Sequence, residues 1–302
     1  MKAIGLTTWI WQNQLKTILL TILFPCLILG AILLVLLFYF AETPEVIEPM
    51  FIDIIGIGLP VFVVWFFISL WWNKSIVFSM TGAKPIERKD APELYNLVEN
   101  LCISRGLTMP HVAIIESRGL NAFATGWNKN KSHIVVTRGL VETLTKAELR
   151  AVLAHELTHI INRDVRLMTL IAVFLGVISL LGYYTFRLSL GGRSSSSKGK
   201  GGAIALIGLA IWLISLIILP LVQFAVSRKR EFLADAGSVE LTKDSSAMIS
   251  ALQKISGHSL VDSLDKNNIR AMCIEHPNKR KKTTLWSTHP VIDDRIKALQ
   301  NM

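Results

Sequence analysis

Cysteine is scarce in this chain of 302 residues: Cys26, Cys102 and Cys273 are far apart and odd in number. No Cys-x-x-Cys pair occurs, so neither a disulfide framework nor a cysteine zinc site follows, and the pattern suits a reducing compartment. Acidic residues are also in deficit, 22 against 32 lysines and arginines, for a formal net charge of +10. The basic residues are scattered through the polar regions and mixed with acids; the densest run is Lys279-Arg280-Lys281-Lys282. Nucleic acid is therefore not an expected partner. Positive charge beside apolar runs is read instead as membrane orientation and contact with anionic headgroups. A small-residue cleavage site is missing after the first apolar run, which is too long for a signal-peptide core, so that run is read as a retained span.

Apolar residues are abundant, at 51% with a mean hydropathy of +0.47, and they are unevenly placed. Four long runs hold the excess: Thr17 to Phe40, Ile54 to Trp72, Leu167 to Phe186 and Ala203 to Ala225. Each is near the ~20 residues a helix needs to cross a bilayer core, so the sequence predicts an integral membrane protein. Trp9, Trp11, Trp65, Trp71, Trp72 and Trp212 stand at or near run ends, where tryptophan anchors at the interface. Residues 1–16 are amphipathic and expected at the interface before the first span. The segment Ala41 to Pro49, read as a loop, has acids and prolines but no lysine or arginine, which places it away from the cytoplasm. Asp53, where the second run begins, is read as interfacial. The third and fourth runs flank Arg187 to Gly202, a glycine, serine and lysine loop expected to be flexible. Whether both runs cross or form a partly embedded hairpin stays open. In either case the chain must return to the same face if residues before and after the pair share a site.

Between the second and third runs the sequence is soluble and mixed in type. Leu94, Leu97, Val98 and Leu101 repeat at helical spacing after Asp90 and Pro92. His111 to Glu116, Ala122 to Gly126 and His133 to Thr137 are short β-rich segments, predicting a small sheet with a hairpin around Trp127 to Lys131. Thr145-Lys146-Ala147-Glu148 is a capping-box sequence that starts a helix carrying His155-Glu156-Leu157-Thr158-His159. Four residues apart on a helix, His155 and His159 share a face and can hold one zinc ion, while Glu156 faces a water bound to it. The bland reading is a helix with two surface histidines.

A catalytic zinc takes three protein ligands and keeps a position for water. After the fourth run comes Ser227-Arg228-Lys229-Arg230-Glu231-Phe232-Leu233-Ala234-Asp235, with Glu231 and Asp235 four apart. One carboxylate can ligate zinc while the other accepts a proton from the far nitrogen of a ligand histidine; alternatively both belong to a solvated face.

This order of motifs resembles the membrane metallopeptidases of the HtpX heat-shock group, relatives of the CAAX prenyl proteases. Two more stretches carry the resemblance: Asn121-Ala122-Phe123-Ala124-Thr125-Gly126, and Ser287-Thr288-His289-Pro290 with Arg295. It implies that His155, His159 and Glu231 hold one Zn2+, that Glu156 is the general base and that Asp235 orients a ligand histidine. It also implies that His289 and Arg295 stabilise the oxyanion and that Asn121 to Ala124 form an edge strand pairing with substrate. His111, His133, His258 and His276, without partners at ligand spacing, are read as structural or surface residues.

The expected fold is α+β and predominantly helical: about four transmembrane helices and a cytoplasmic, zincin-like catalytic domain containing a small sheet. Its expected divisions are residues 1–72, 73–166, 167–225 and 226–302, the second and fourth forming the catalytic region. The expected function is endopeptidase cleavage of extended or misfolded polypeptides, membrane proteins above all, in quality control. The expected location is the bacterial inner membrane, in lipid, with the site facing the cytoplasm; oligomeric state is not legible. A prenyl-protein protease, a non-catalytic scaffold and a zinc-binding chaperone remain the alternatives.

Overall fold

One buried helix carries His155, Glu156 and His159, and its start is written in the sequence. In the computed structural model Thr145 Oγ1 accepts from the Glu148 N–H, and the Glu148 carboxylate accepts from the Thr145 N–H at 2.8 Å. This reciprocal cap satisfies two donors that a helix start would leave orphaned. The helix runs Lys146–Ile161, and every residue from Ala151 to Thr158 is buried. A helix buried on all sides is a core element rather than an amphipathic cover.

The structure describes residues 44–53, 81–127, 131–167, 230–256 and 291–302, with scattered further positions between 11 and 79. In order, the elements are α1 (Ile47–Asp53), β1 (Lys84–Pro85), α2 (Pro92–Ile103), β2 (His111–Ile115), β3 (Ala122–Thr125) and β4 (His133–Thr137). They continue with α3 (Arg138–Thr143), α4 (Lys146–Ile161), α5 (230–242), α6 (Ser245–Ile255) and α7 (Ile292–Gln300). The described fold is thus mostly helical with a small mixed sheet. Contacts divide the chain into two compact units. One comprises Met1–Gln14, Trp72–Thr169 and Val222–Met302, the other Leu15–Trp71 and Leu170–Leu221.

The sheet has strand order β1-β2-β4-β3. β2 and β4 are parallel, with His111 opposite His133 and Ile115 opposite Thr137. β3 is antiparallel to β4, with Ala122 opposite Val136 and Thr125 opposite His133, and it ends the sheet. Side chains alternate across the strands, as a pleat demands. Val112, Ile114, Ala122, Ala124, Ile134 and Val136 face a core shared with α2 and α4, including Leu94, Leu97, Val98 and Leu101. Ala113, Ile115, Phe123 and Val135 pack on the other face with Val77 and Ala83.

The expected helix after Asp90 and the three longer strands occur where the pattern places them. Two features differ from expectation. The segment Ala41 to Pro49 is not all loop: a 3-10 turn spans Pro44–Val46, and α1 begins at Ile47. Pro49 lies in the first turn of α1, where its missing N–H costs nothing. α3 was not expected, because its six residues are too few to show periodicity; Thr137 caps it by accepting from the Leu140 N–H. Gly139 is required there, since a Cβ would stand 2.2 Å from the Arg118 carbonyl oxygen.

The four apolar runs lie for most or all of their length outside the described residues, as do loop 187–202 and the Lys279 to Lys282 run. Among the described residues no helix is long and apolar enough to cross a membrane.

Glu148 does more than cap α4. Its carboxylate also accepts from Ser250 Oγ at 2.5 Å and Lys254 Nζ at 2.7 Å, tying α4 to α6. Burial alone would raise this carboxyl, but Lys254, Ser250 and Thr145 outweigh it and hold it at about 2, against 4.5 for a free glutamate. A depressed folded-state pKa contributes stability that is present above pH 4.5 and lost as pH falls toward 2. Glu148→Gln is expected to cost on the order of 1–3 kcal/mol at neutral pH. It should also make the fall in thermal midpoint between pH 4.5 and 2 shallower than in the wild type, measured by melts across that range.

Candidate metal centre

His155 and His159 occupy successive turns of one face of α4, with ring centroids 4.9 Å apart. Glu231 and Asp235 occupy successive turns of α5, and the two faces meet. His155 Nε2 lies 3.6 Å from Glu231 Oε2, and His159 Nε2 lies 3.7 Å from Glu231 Oε1. One ligand atom from each of His155, His159 and Glu231 falls within 4.8 Å of the others. Tetrahedral zinc with bonds near 2.0 to 2.1 Å separates its ligand atoms by about 3.4 Å, and the two histidine nitrogens here approach different oxygens of the same carboxylate at slightly more than that.

What lets α4 and α5 approach is residue size. Gly237 sits against Thr158, where a Cβ would come within 2.4 Å of Thr158 Cγ2. One residue on, Ser238 Oγ donates to the Ala151 carbonyl at 2.6 Å, and Ala234 is fully buried. Ala234, Gly237 and Ser238 thus make a narrow face on the helix that carries Glu231.

Behind the ligands stands a layer of charge. His155 Nδ1 is 3.0 Å from Asp235 Oδ1, and His159 Nδ1 is 2.9 Å from Asp164 Oδ2. Arg295, on α7 and fully buried, donates from Nε and Nη2 to the two oxygens of Asp235 at 2.8 and 2.6 Å. Its Nη1 is 3.7 Å from Glu231 Oε2. Burial would raise the Asp235 carboxyl, but the Arg295 charge and hydrogen bonds hold it below the ordinary carboxylate range. Burial works against a charged His155, yet Asp235 and Glu231 prevail and raise it to about 9. Glu156, also buried, is pushed above the ordinary carboxylate range by desolvation.

The ligand residues lie among several buried charges. Four carboxylates, Glu156, Asp164, Glu231 and Asp235, face two guanidiniums, Arg230 and Arg295, all at most 4% exposed. With His155 protonated at neutral pH, a divalent metal entering the site would take the place of that proton. Two imidazole nitrogens and one carboxylate oxygen form a donor set suited to zinc.

The remaining expected residues fall in three places. Asn121 is buried just before β3, where Thr137 N and Oγ1 donate to its carbonyl oxygen. Ala122, Phe123 and Ala124 form β3, the edge strand, with buried side chains and an outer edge that pairs with no strand among the described residues. His289 lies outside the described residues. Arg295, expected at the oxyanion, commits two of its donors to Asp235. The sequence reading missed Asp164 and Arg230. Asp164 follows His159 by five residues, beyond the helix end, where no periodic signal reaches.

Residues 88–302 match the profile of Peptidase family M48. The chain belongs to peptidase family M48 and is a zinc metallopeptidase. It is 38% identical over 322 aligned positions to a "Protease HtpX homolog" of Bacteroides fragilis (strain YCH46), covering 99% of each chain. It is 37% identical to another of that description from Streptococcus equi subsp. equi (strain 4047), covering 78% of this chain and 82% of the relative. A crystal structure of S. mikatae Ste24p aligns with a TM-score of 0.48 at 21% identity, over 96% of this chain and 66% of that one.

With His155 raised to about 9, the metal-free site carries a proton there at neutral pH that an incoming metal must displace. The sign is that of a raised pKa: the proton stabilises the metal-free fold below pH 6.5 and is lost through about 9. Zinc affinity is therefore expected to climb about tenfold per pH unit from 6.5 toward 9 and then level, measured by chelator competition.

Proposed function

We propose that this chain is an endopeptidase embedded in a bilayer, cleaving extended or misfolded segments of polypeptides, chiefly membrane proteins, as part of quality control. The observation that carries the reading is the convergence of His155, His159 and Glu231 beside the buried Glu156. His155, His159 and Glu231 would hold the zinc. Bound there, zinc supplies a Lewis acid that brings the pKa of water toward about 7. Glu156, adjoining His155 on α4, takes the proton of the attacking water and returns it to the leaving amine. Desolvation raises its pKa, which makes its carboxylate a stronger base than a solvated glutamate. Asp235 holds the His155 ring and is itself held by Arg295. His289 remains the candidate donor to the oxyanion.

The substrate reading rests on β3. An edge strand recognises an extended peptide through backbone hydrogen bonds and requires that the peptide be unfolded first. Ala122 and Ala124 turn their side chains into the core, so this strand offers main chain rather than selective pockets. The membrane reading rests on the four apolar runs, and the cytoplasmic orientation on the acidic, lysine-free segment after the first of them. A catalytic unit drawn from residues 73–166 and 226–302 is then mounted on about four helices.

Glu156→Gln is expected to retain zinc yet lose roughly 10²- to 10⁴-fold in the rate of cleaving unfolded casein, the scale of general acid–base catalysis. A variant that cleaves at the wild-type rate removes Glu156 as the base. Cleavage of unlipidated casein by the wild type also separates this reading from an obligate prenyl-protein protease.

A further inference from the structure

The two ligand histidines are backed by different parts of the chain. Asp235 reaches His155 from α5. His159 is met by Asp164, five residues further along its own chain, and three observations show how that contact is built.

First, α4 ends at Ile161, and Arg163 takes a left-handed conformation, φ 59°. For a side chain other than glycine this costs on the order of 1–2 kcal/mol, so the surrounding structure must favour the turn. The turn brings Asp164 back under the last turn of the helix, within 2.9 Å of His159 Nδ1. Second, Asp164 is only 1% exposed, and a carboxylate so buried requires partners. Third, Arg230 Nη1 donates to the Asp164 backbone carbonyl at 3.3 Å. Arg230 immediately precedes Glu231, so the segment behind His159 is pinned to the helix that brings the third ligand.

An acceptor at Nδ1 decides which tautomer the neutral ring adopts. With its proton on Nδ1, His159 presents a lone pair at Nε2, the nitrogen 3.7 Å from Glu231 Oε1. We infer that Asp164 is a positioning residue of the metal centre: its carboxylate fixes the tautomer and ring angle of His159. The inference rests on His159 serving as a ligand. Each histidine then has its own carboxylate, and the two supports sit on separate stretches of chain that only the fold brings together.

The test uses the full chain in detergent micelles, stripped of metal, with zinc affinity read by competition with a chromogenic chelator and the metal-free thermal midpoint measured alongside. Asp164→Ala removes both charge and acceptor; Asp164→Asn keeps the size and an acceptor oxygen. The dissociation constant for zinc is expected to rise about 10- to 100-fold in Asp164→Ala and by a smaller factor in Asp164→Asn. The metal-free midpoint of Asp164→Asn should stay at the wild-type value. If Asp164→Ala does not fold, Asp164→Asn decides: weakened binding at an unchanged midpoint supports the inference, and wild-type binding overturns it. Affinity that falls only in step with the metal-free midpoint also overturns it, because a merely structural carboxylate behaves that way. His159→Ala separates the two levels. If it binds zinc as the wild type does, the ligand assignment fails and the inference falls with it. If His159→Ala is weakened while Asp164→Ala binds within about twofold of wild type, the inference alone is wrong.

Discussion

Two helices from distant parts of the chain touch at Gly237 and Thr158, and the metal site exists only while they do. α4 carries two donors and α5 the third; neither helix can hold a catalytic zinc alone. A methyl group at Gly237 would meet the Thr158 side chain at 2.4 Å. Displacing α5 to relieve that overlap shifts the Glu231 carboxylate relative to both histidines, and a metal centre depends on the position of each ligand. The small residues of α5 are therefore as much a part of the site as its carboxylates.

Around that contact the structure solves an electrostatic problem. Carboxylates buried beside the ligands would repel one another and take up protons if nothing compensated them. Arg295 comes from the last helix and binds Asp235 through two donors, so the C-terminal segment fixes a residue that in turn backs His155. Glu148 performs a comparable duty at the other end of α4, where one carboxylate caps the helix and anchors α6. Stability and catalysis are thus built from the same kind of device, a buried carboxylate saturated with donors. The difference lies in the ligand face, where two imidazole nitrogens and a carboxylate oxygen converge on the position a zinc ion would take.

Much of this was legible in the sequence because it is local. The Thr145 to Glu148 cap, the spacing of Leu94 to Leu101, the strand alternation, and the His155/His159 and Glu231/Asp235 pairs are all set by helix or strand period. What escaped is non-periodic. α3 is too short to show a period, and the left-handed turn at Arg163 that delivers Asp164 leaves no pattern. Arg295 was visible as a candidate, but which acid it grips depends on how α7 packs, and that is a tertiary fact. The helical turn over Pro44–Val46 and the start of α1 were hidden by prolines that suggest a loop, although proline is well tolerated at helix starts.

Glu231, from beyond the third and fourth apolar runs, meets His155 and His159 as the third member of the ligand cluster. Its role is tested most directly by counting zinc in the purified full chain, comparing Glu231→Ala with Glu240→Ala, an exposed glutamate on the same helix. The expected result is one zinc per chain in the wild type and in Glu240→Ala, and far less in Glu231→Ala at equal chelator concentration. Equal zinc in Glu231→Ala and wild type would show that the third ligand lies elsewhere in the chain.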